Sequence, residues 1–302
     1  MTVHSKKILI TGIDSFTGVY LKNEMESCGY TVFGLGITKK DNSMYYECDI
    51  RDKESLIKCL RAVSPDYIIN LAGISYVPFN DVSVLYEINM MGVINLIEAC
   101  KEAVPKLRKL IVSSTGLVYG APNTDIVNES MPMTPVNHYG ASKAAMENAV
   151  KQFFGDIPII IVRPFNYTGP GQSDDFVIPK IVKHYNERAE YIELGNTSVI
   201  RDFSDVRFIV EVYRRLLESD AESTIINICS NRGYSINKIL SYAEELSGHK
   251  LEVRVNPKYL RKHEIHRLIG DNSLLKKYIG DFDSINIHDT VKWMLDELQM
   301  EF

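Results

Sequence analysis

The stretch ITGIDSFTG, residues 10–18, follows the apolar run KKIL and precedes an amphipathic segment that ends at Gly29. A buried strand, a tight glycine turn and a helix in this order are typical of a loop that binds the pyrophosphate of a dinucleotide; a purely structural turn is the alternative. Gly12 and Gly18 stand at the outer glycine positions of such a loop, and Ser15 takes the middle one. We expect Ser15 to offer its backbone N–H to an anion, beside the positive end of the helix dipole.

Outward from this loop, apolar strands alternate with amphipathic helices as far as about residue 165. The predicted strands are KKILITG, TVFGLG, DYIINLAG, RKLIVSST and IPIIIVRP, and the predicted helices include DKESLIKCLRAV, GVINLIEACKEAV and ASKAAMENAVKQFF. Continuous apolar strands between helices indicate a parallel sheet that is covered on both faces. We therefore predict an α/β fold with a Rossmann-type doubly wound parallel sheet.

The alternation loosens in the second half of the chain. FNYTGPGQSDDF is predicted to be a loop, STIINICS a strand that returns to the main sheet, and KLEVRVNP part of a smaller α/β lobe. We predict a cofactor-binding Rossmann domain over residues 1–165, joined by a strand near 224–229, and a C-terminal substrate-binding lobe that makes up most of residues 166–302.

Composition excludes several classes of function. The 302 residues carry a formal net charge of −5 without a long Lys/Arg cluster, so neither nucleic acid nor a membrane surface is an expected partner. The five cysteines are scattered singly, which predicts reduced, mostly buried thiols, and His263 and His266 lack a third ligand at suitable spacing, so no metal is expected. We find neither a signal peptide nor a stretch long enough to span a bilayer, and we predict a cytoplasmic protein.

The residues after the second predicted strand bear on the cofactor. An acid at this place usually binds the ribose hydroxyls of NAD, but the chain has Thr38, Lys39 and Lys40, and its first acid is Asp41. Cations suit a 2′-phosphate, so NADP (as NADPH) is the predicted cofactor; solvated lysines in a turn are the alternative.

A tyrosine and a lysine at YxxxK spacing are the candidate proton-transfer pair. Tyr139 and Lys143 would lie on one face of a helix, one turn apart. An ammonium near a phenol lowers the phenol pKa and makes it a usable proton donor and acceptor. Thr115 closes the strand RKLIVSST, and the carboxyl end of a strand is where an open α/β sheet binds its ligand.

With the glycine loop, NLAG, SSTGLVYG, YGASK and RPFNYTGPGQ in this order, the sequence resembles the extended short-chain dehydrogenase/reductase family of nucleotide-sugar enzymes, from about residue 5 to the carboxyl end. The resemblance implies that Thr115 polarises the substrate carbonyl, that Tyr139 is the acid/base, and that Lys143 is its partner and a ligand of the nicotinamide ribose. It also implies a homodimer formed by the helices GVINLIEACKEA and ASKAAMENAVKQFF, although the apolar face of the first helix would equally suit the protein's own sheet.

The resemblance further implies a set of residues that bind the cofactor. They are Gly12, Ser15, Phe16, Thr17, Gly18, Thr38, Lys39, Asp49, Ile50, Leu71, Ala72, Gly73, Asn89, Tyr139, Lys143 and Phe165. Asp49 would contact adenine, and Asn89 is either a cofactor ligand or a buried amide that satisfies backbone groups.

A second implied set binds the sugar nucleotide. Its members are Ser75, Ser114, Asn166, Val177, Lys180, Leu194, Gly195, Asn196, Arg201, Arg261 and Glu264. LGNTSVIRDFSDV and NPKYLRKHEIHRLIGD are similar to nucleotide-binding segments of the GDP-4-keto-6-deoxy-mannose reductases and their dehydratase relatives. Arg201 and Arg261 would bind the diphosphate, and Glu264 a guanine edge or ribose; surface ion pairs are the alternative for each.

Departures from the family narrow the expected reaction. Gly116 and Leu117 replace the acidic pair of the dehydratases, while Gly116 and Phe176 replace the Cys and His of the epimerase/reductases. None of these side chains moves a proton. The remaining expectation is NADPH-dependent reduction of the C4 ketone of a nucleotide-linked, preferentially GDP-linked, 4-keto-6-deoxy sugar, in deoxysugar synthesis for surface polysaccharide. An NAD-dependent 4-epimerase and a non-catalytic sugar-nucleotide-binding protein are the alternatives.

Overall fold

The computed structural model describes residues 6–75, 81–260 and 263–300, the side chains of the last two excepted. Its strands are β1 (Lys7–Thr11), β2 (Thr31–Gly36), β3 (Tyr45–Glu47), β4 (Tyr67–Asn70), β5 (Lys109–Ser113), β6 (Ile159–Pro164), β7 (Asn166–Thr168), β8 (Tyr191–Leu194), β9 (Ile200–Asp205), β10 (Thr224–Ile228), β11 (Gly233–Ser235), β12 (Glu252–Val255) and β13 (Arg267–Leu268). Its α-helices are α1 (Phe16–Ser27), α2 (Lys53–Val63), α3 (Val82–Tyr86), α4 (Gly92–Ala103), α5 (His138–Val150), α6 (Val177–Asn186), α7 (Val206–Glu218), α8 (Ile236–Ser247), α9 (Ser273–Ile279) and α10 (Ile287–Met300).

A parallel sheet of seven strands lies at the centre, in the order β10-β6-β5-β4-β1-β2-β3. Strands β1, β4, β5 and β6 have apolar centres and are almost fully buried, as strands covered on both faces must be. The strand order reverses between β1 and β4, and ligands of open α/β sheets bind beyond the carboxyl ends of the strands at such a point. The predicted Rossmann-type doubly wound sheet is confirmed.

Helices cover both faces of this sheet. One face packs against α2, α4 and α5 in a core that includes Leu56, Leu96 and Met146. The other packs against α1 and α7, with Leu21, Ile209 and Leu216 in its core. Helix α7 and strand β10 both come from the second half of the chain, and the division near residue 165 stays a prediction.

A continuous helical stretch, Val82–Ala103, joins α3 to α4 through a π-helical segment, Glu87–Met91. By length and composition it is the one helix among the described residues that could cross a membrane, which the sequence analysis did not expect. Its apolar face is nevertheless in the core of the protein, since Val93, Leu96 and Cys100 are fully buried there. This face therefore packs on the protein's own sheet, and the predicted dimer stays a prediction.

The smaller lobe has two sheets of its own. Strand β9 pairs with β7, β11 and β13, and β8 pairs with β12, over a core formed with α6, α8 and α10. The predicted loop over residues 165–176 is thus wrong at β7, which pairs in register with Phe203–Asp205. Three polar and aromatic residues carry no strand periodicity, so only a partner distant in sequence makes them a strand.

Candidate active site

The loops after β1 and β4 are bound to each other at the point where the strand order reverses. The Thr11 hydroxyl donates to Asn70 Oδ1 at 2.6 Å and accepts from the backbone N–H of Ala72 at 3.2 Å. Gly12 has φ +69°, and a Cβ there would lie 2.8 Å from the Ala72 nitrogen. Only glycine therefore permits this turn, which brings the loop of residues 10–18 against Leu71 and Ala72.

Ser15 caps the helix that follows the loop. Its Oγ accepts from the Gly18 N–H at 3.1 Å, while its own N–H donates to the Gly12 carbonyl at 3.0 Å. The expectation that the Ser15 N–H is offered to an anion is therefore wrong, because that group closes the turn. With Gly18 capped, Phe16 and Thr17 supply the remaining N–H groups of the first helical turn.

The loop retains the shape that a dinucleotide needs. A Cβ at Gly18 would lie 2.5 Å from the Ile13 carbonyl oxygen and 2.6 Å from that of Gly12, so the helix packs against the turn only because this residue is glycine. Within the described residues, Asn70 Nδ2 is a buried nitrogen without a hydrogen-bond partner in the protein, and Asn70 is the last residue of β4, bonded to Thr11 just before the turn. Close-packed glycines and a free helix N-terminus fit a pyrophosphate group.

Thr115, Tyr139 and Lys143 come together at the carboxyl end of β5, and all three are buried. Burial raises the pKa of Tyr139 well above its ordinary value, and a hydrogen bond from Thr115 offsets only part of that rise. Burial lowers the pKa of Lys143 to about 8, whereas the Glu147 carboxylate raises it. The Lys143 ammonium donates to the Ser113 carbonyl at 2.9 Å, and Thr115 is the hydrogen-bond partner that favours the phenolate here. The effect of Lys143 on the phenol stays a prediction.

Asn89 holds the loop after β4 against α5. In the π-helical segment, its Oδ1 accepts from the Ile74 N–H at 2.8 Å, and its Nδ2 donates to the Ile74 carbonyl at 3.0 Å and to Ser142 Oγ at 3.1 Å. A Cβ at Gly73 would lie 3.0 Å from Asn89 Oδ1 and 3.3 Å from the Lys143 ammonium. The amide satisfies backbone groups, which is the second of the two roles considered for it, and it keeps Gly73 beside Lys143.

A buried ion pair lies directly under this site. Arg163 donates through Nε and Nη2 to both oxygens of Glu147, at 2.6–3.2 Å, and neither side chain reaches solvent. Ser114 donates its hydroxyl to the same carboxylate at 2.5 Å, and Arg163 also donates to the Tyr119 hydroxyl at 2.8 Å. The Ser114 hydroxyl is thereby hydrogen-bonded within the buried interior, where it supports the ion pair, and this arrangement does not favour the substrate-binding role implied for it.

Charged groups cluster at the far end of the loop, where β2 ends. Lys40 forms an ion pair with Asp14 Oδ1, and the Tyr45 hydroxyl donates to Asp14 Oδ2 at 2.8 Å. Thr38 and Lys39 are exposed beside them. The Asp49 carboxylate is held by Arg51, whose hydrogen bonds lower the pKa of Asp49.

The sequence matches the family model described as GDP-mannose 4,6 dehydratase over residues 9–294. The chain belongs to this family. It is 34% identical over 279 residues to the GDP-6-deoxy-D-talose 4-dehydrogenase of Aggregatibacter actinomycetemcomitans, with 91% of this chain and 92% of that protein covered. It is 29% identical over 304 residues to the GDP-6-deoxy-D-mannose reductase of Pseudomonas aeruginosa, with 97% of each covered.

A solved structure shares the whole fold. The structure of RMD from Pseudomonas aeruginosa complexed with NADPH superposes with a TM-score of 0.86 at 26% identity, covering 99% of each chain. Together with the family match, this confirms the predicted extended short-chain dehydrogenase/reductase fold and its nucleotide-sugar branch.

The uncharged residues and the lysine predicted to bind the sugar nucleotide lie in two groups, one at the main sheet and one at α6 and β8. Ser75 and Asn166 are exposed near the carboxyl edge of the main sheet. Lys180 on α6 donates to the Glu193 carbonyl of β8 at 2.8 Å and lies over the Tyr259 ring at 4.3 Å, which brings α6 to β8 and to the turn after β12. The other members of this group, placed on α6, at the end of β8 and just after it, are Val177, Leu194, Gly195 and Asn196.

The charged residues predicted to bind the sugar nucleotide differ in their burial and position. Arg201 on β9 is buried, and its Nη1 donates to the Ile200 carbonyl at 2.9 Å. Glu264 is half-buried in the segment before β13. Arg261 lies outside the described residues, so its predicted role stays a prediction.

Two predicted cofactor ligands are packing residues in this structure. The Phe165 ring is buried and lies 3.1 Å from where a Cβ of Gly116 would be, just after β5. Ile50 is buried against Gly92 of α4. Each packs in the core here, and its predicted contact with the cofactor stays a prediction.

Sequence reasoning missed the side chains that support the site from other elements. Tyr167 on β7 shares a hydrogen bond of 2.7 Å with Thr17 and stacks on Phe16, at 6.2 Å between ring centroids. Glu147 and Arg163 left a signal that was not used: Glu147 is one turn beyond Lys143, and Arg163 is a charge inside the apolar strand IIIVRP. A charge in a strand buried on both faces needs a partner of opposite sign.

Proposed function

We propose that this protein reduces the C4 ketone of a GDP-linked 4-keto-6-deoxy sugar with NADPH. The observation that carries this proposal is the buried triad of Thr115, Tyr139 and Lys143 beside Gly116 and Leu117, which have no ionisable side chain. The triad would supply one proton to the sugar, and positions 116, 117 and 176 hold no acid or base for elimination or for epimerisation beside the ketone.

The chemistry follows from where these side chains lie. The nicotinamide, when bound, supplies the hydride that adds to C4. Tyr139 donates its phenolic proton to O4, and Thr115, which already bonds the phenol oxygen, stabilises the charge that develops there. Lys143 stays next to Gly73 and Ser113, where its positive charge favours the phenolate that remains.

The cofactor follows from the fit of the loop. Gly12 and Gly18 provide the close turn, and the N–H groups of Phe16 and Thr17 would bind the pyrophosphate. NADPH is the proposed reductant because cations follow β2 and because the related Pseudomonas structure is described with NADPH.

The names of the two relatives support the substrate class. Both refer to GDP-linked 6-deoxy sugars, and talose and mannose differ only in the configuration at C4. One 4-ketone therefore gives either sugar, depending on the face that receives hydride. Arg201 and Arg261 are the cations proposed to bind the diphosphate, and the product would serve deoxysugar synthesis.

The test is a spectrophotometric assay of NADPH oxidation with GDP-4-keto-6-deoxy-mannose, followed by NMR of the product. Stoichiometric oxidation of NADPH and a reduced C4 are expected. A protein that isolates with bound NAD, consumes no NADPH and interconverts two C4 epimers would be a 4-epimerase and would contradict the proposal. Binding of the sugar nucleotide without any turnover would instead indicate a non-catalytic protein.

A further inference from the structure

The loop of residues 10–18 carries an acid that the motif does not require. Asp14 extends from this loop to the carboxyl end of β2, where a Cβ at Gly36 would lie 2.8 Å from its Oδ2. Tyr45, on the neighbouring strand β3, donates its hydroxyl to that same oxygen at 2.8 Å. Burial and this hydrogen bond raise the pKa of Tyr45 to about 12, so the tyrosine is a lasting donor that holds the carboxylate over Gly36.

The position matters because of what ends the second strand in a dinucleotide fold. An acid there accepts from the 2′-hydroxyl of the adenosine ribose, whereas a cation there accommodates a 2′-phosphate. The segment after β2 has Thr38, Lys39 and Lys40 and no acid before Asp41. In the folded chain, Asp14 of the glycine loop places a carboxylate at the end of β2, where the sequence of β2 itself provides no acid.

Asp14 also changes what Lys40 offers. The Lys40 ammonium forms an ion pair with Asp14 Oδ1 and lies 5.0 Å from the centroid of the Tyr45 ring. The positive charge that would attract a 2′-phosphate is therefore balanced by a carboxylate that repels it. The two side chains are 44% and 34% exposed, so solvent screens this balance and it acts on the ligand as a moderate effect.

We propose that Asp14 is a specificity-determining residue for the 2′ position of the cofactor: with Tyr45 it restrains Lys40, reduces the preference for a 2′-phosphate and supports binding of the 2′-hydroxyl form. The inference rests on the proposed function only in that a nicotinamide dinucleotide is the cofactor. Lys39 and Thr38 provide the attraction for the 2′-phosphate that remains.

The test measures binding without catalysis. Isothermal titration calorimetry with ADP-ribose and 2′-phospho-ADP-ribose gives two affinities for each protein, and their ratio reports the 2′ position alone. In D14N we expect the ratio to move about tenfold towards the phosphorylated probe, since a like charge at the end of β2, where a 2′-phosphate would bind, is removed. K40M is expected to move it the opposite way. D41N loses an equal charge from an exposed neighbour of Lys40 and serves as the matched control.

The shift in D14N should shrink as salt is added, because the interaction is between partly exposed charges. A D14N ratio equal to that of the unaltered protein, or a shift towards ADP-ribose, would overturn the role of Asp14 while leaving the cofactor site intact. If D14N proves unstable, the affinity ratio of K40M tests the proposal instead. A shift of that ratio towards the phosphorylated probe would overturn the proposal. If the unaltered protein binds neither probe, the proposed function fails and the inference fails with it.

Discussion

Lys143 and Glu147 lie one turn apart on α5, and the buried Glu147 carboxylate opposes the lowering of the Lys143 pKa that burial causes. The same carboxylate is bonded to Arg163 on β6 and to Ser114 at the end of β5. The Glu147 carboxylate thus influences the pKa of Lys143 and also binds side chains from β6 and from the residue after β5.

The first prediction concerns this ion pair. Replacing Glu147 by Gln leaves the Arg163 guanidinium buried without a counter-charge, and we expect a loss of about 3–5 kcal/mol in the free energy of unfolding. The double variant Glu147→Gln with Arg163→Met removes both charges and should recover part of that loss. Urea unfolding of the two variants measures the difference. Equal stability of the single and double variants would show that the pair does not balance a buried charge.

The second prediction concerns pH. Burial lowers the pKa of Lys143 to about 8 in the folded protein, from 10.5 for a free side chain. Between these values the unfolded chain binds more protons than the folded one, so this lysine makes the free energy of unfolding rise as pH rises from about 8 to about 10.5. Lys143→Met should remove this rise, whereas Lys151→Met, at an exposed lysine on the same helical segment, should keep it. A Lys143→Met protein with the same pH dependence as the parent would contradict the prediction.

The sequence predicted what depends on neighbours along the chain. Strands such as IPIIIVRP are apolar runs whatever surrounds them, and Tyr139 and Lys143 share a helix face by spacing alone. Both features appear as predicted because they need no partner from elsewhere.

The parts that escaped prediction depend on distant partners. Glu147 and Arg163 meet across 16 positions and two elements, and Lys40 reaches Asp14 across 26 positions. The short strands β3 and β7 exist only through pairing with β2 and β9. The expectation for the Ser15 N–H failed for a different reason. Both the hydroxyl and the N–H of Ser15 find partners within the turn, and only the backbone conformation determines those partners.

The third prediction tests the proton donor. Tyr139→Phe should lower kcat by about 10²–10⁴-fold and leave the affinity for the sugar nucleotide nearly unchanged, because only the transferred proton is lost. Tyr213→Phe is a matched control: its hydroxyl, also buried, donates to Ser113 Oγ at 2.9 Å and has no place in the reaction. Equal losses in the two variants would indicate that Tyr139 acts through packing.

The fourth prediction concerns Thr115. Thr115→Val keeps the shape of the side chain but removes the hydrogen bond to the Tyr139 phenol, so the pKa of Tyr139 should rise further above its ordinary value. We expect kcat to fall by about 10²–10³-fold, as for the loss of one preorganised donor. The alkaline limb of the pH profile of kcat should move to higher pH in this variant. An unchanged profile would assign the Thr115 hydroxyl to capping the short 3₁₀ turn Gly116–Tyr119, where it accepts from the Leu117 N–H at 3.2 Å, and not to the reaction.

The last prediction returns to the middle position of the glycine loop. Because the Ser15 hydroxyl caps α1 and its N–H closes the turn on Gly12, we expect its contribution to be to the helix and not to the anion. Ser15→Ala should lower the free energy of unfolding by about 1 kcal/mol, whereas Ser15→Gly should cost only a few tenths. Neither variant should weaken the binding of ADP-ribose, since Phe16 and Thr17 keep their N–H groups. Thermal unfolding of both variants measures the change in stability, and calorimetry measures the affinity for ADP-ribose. A Ser15→Ala protein of full stability that binds ADP-ribose weakly would show that the serine hydroxyl contacts the pyrophosphate.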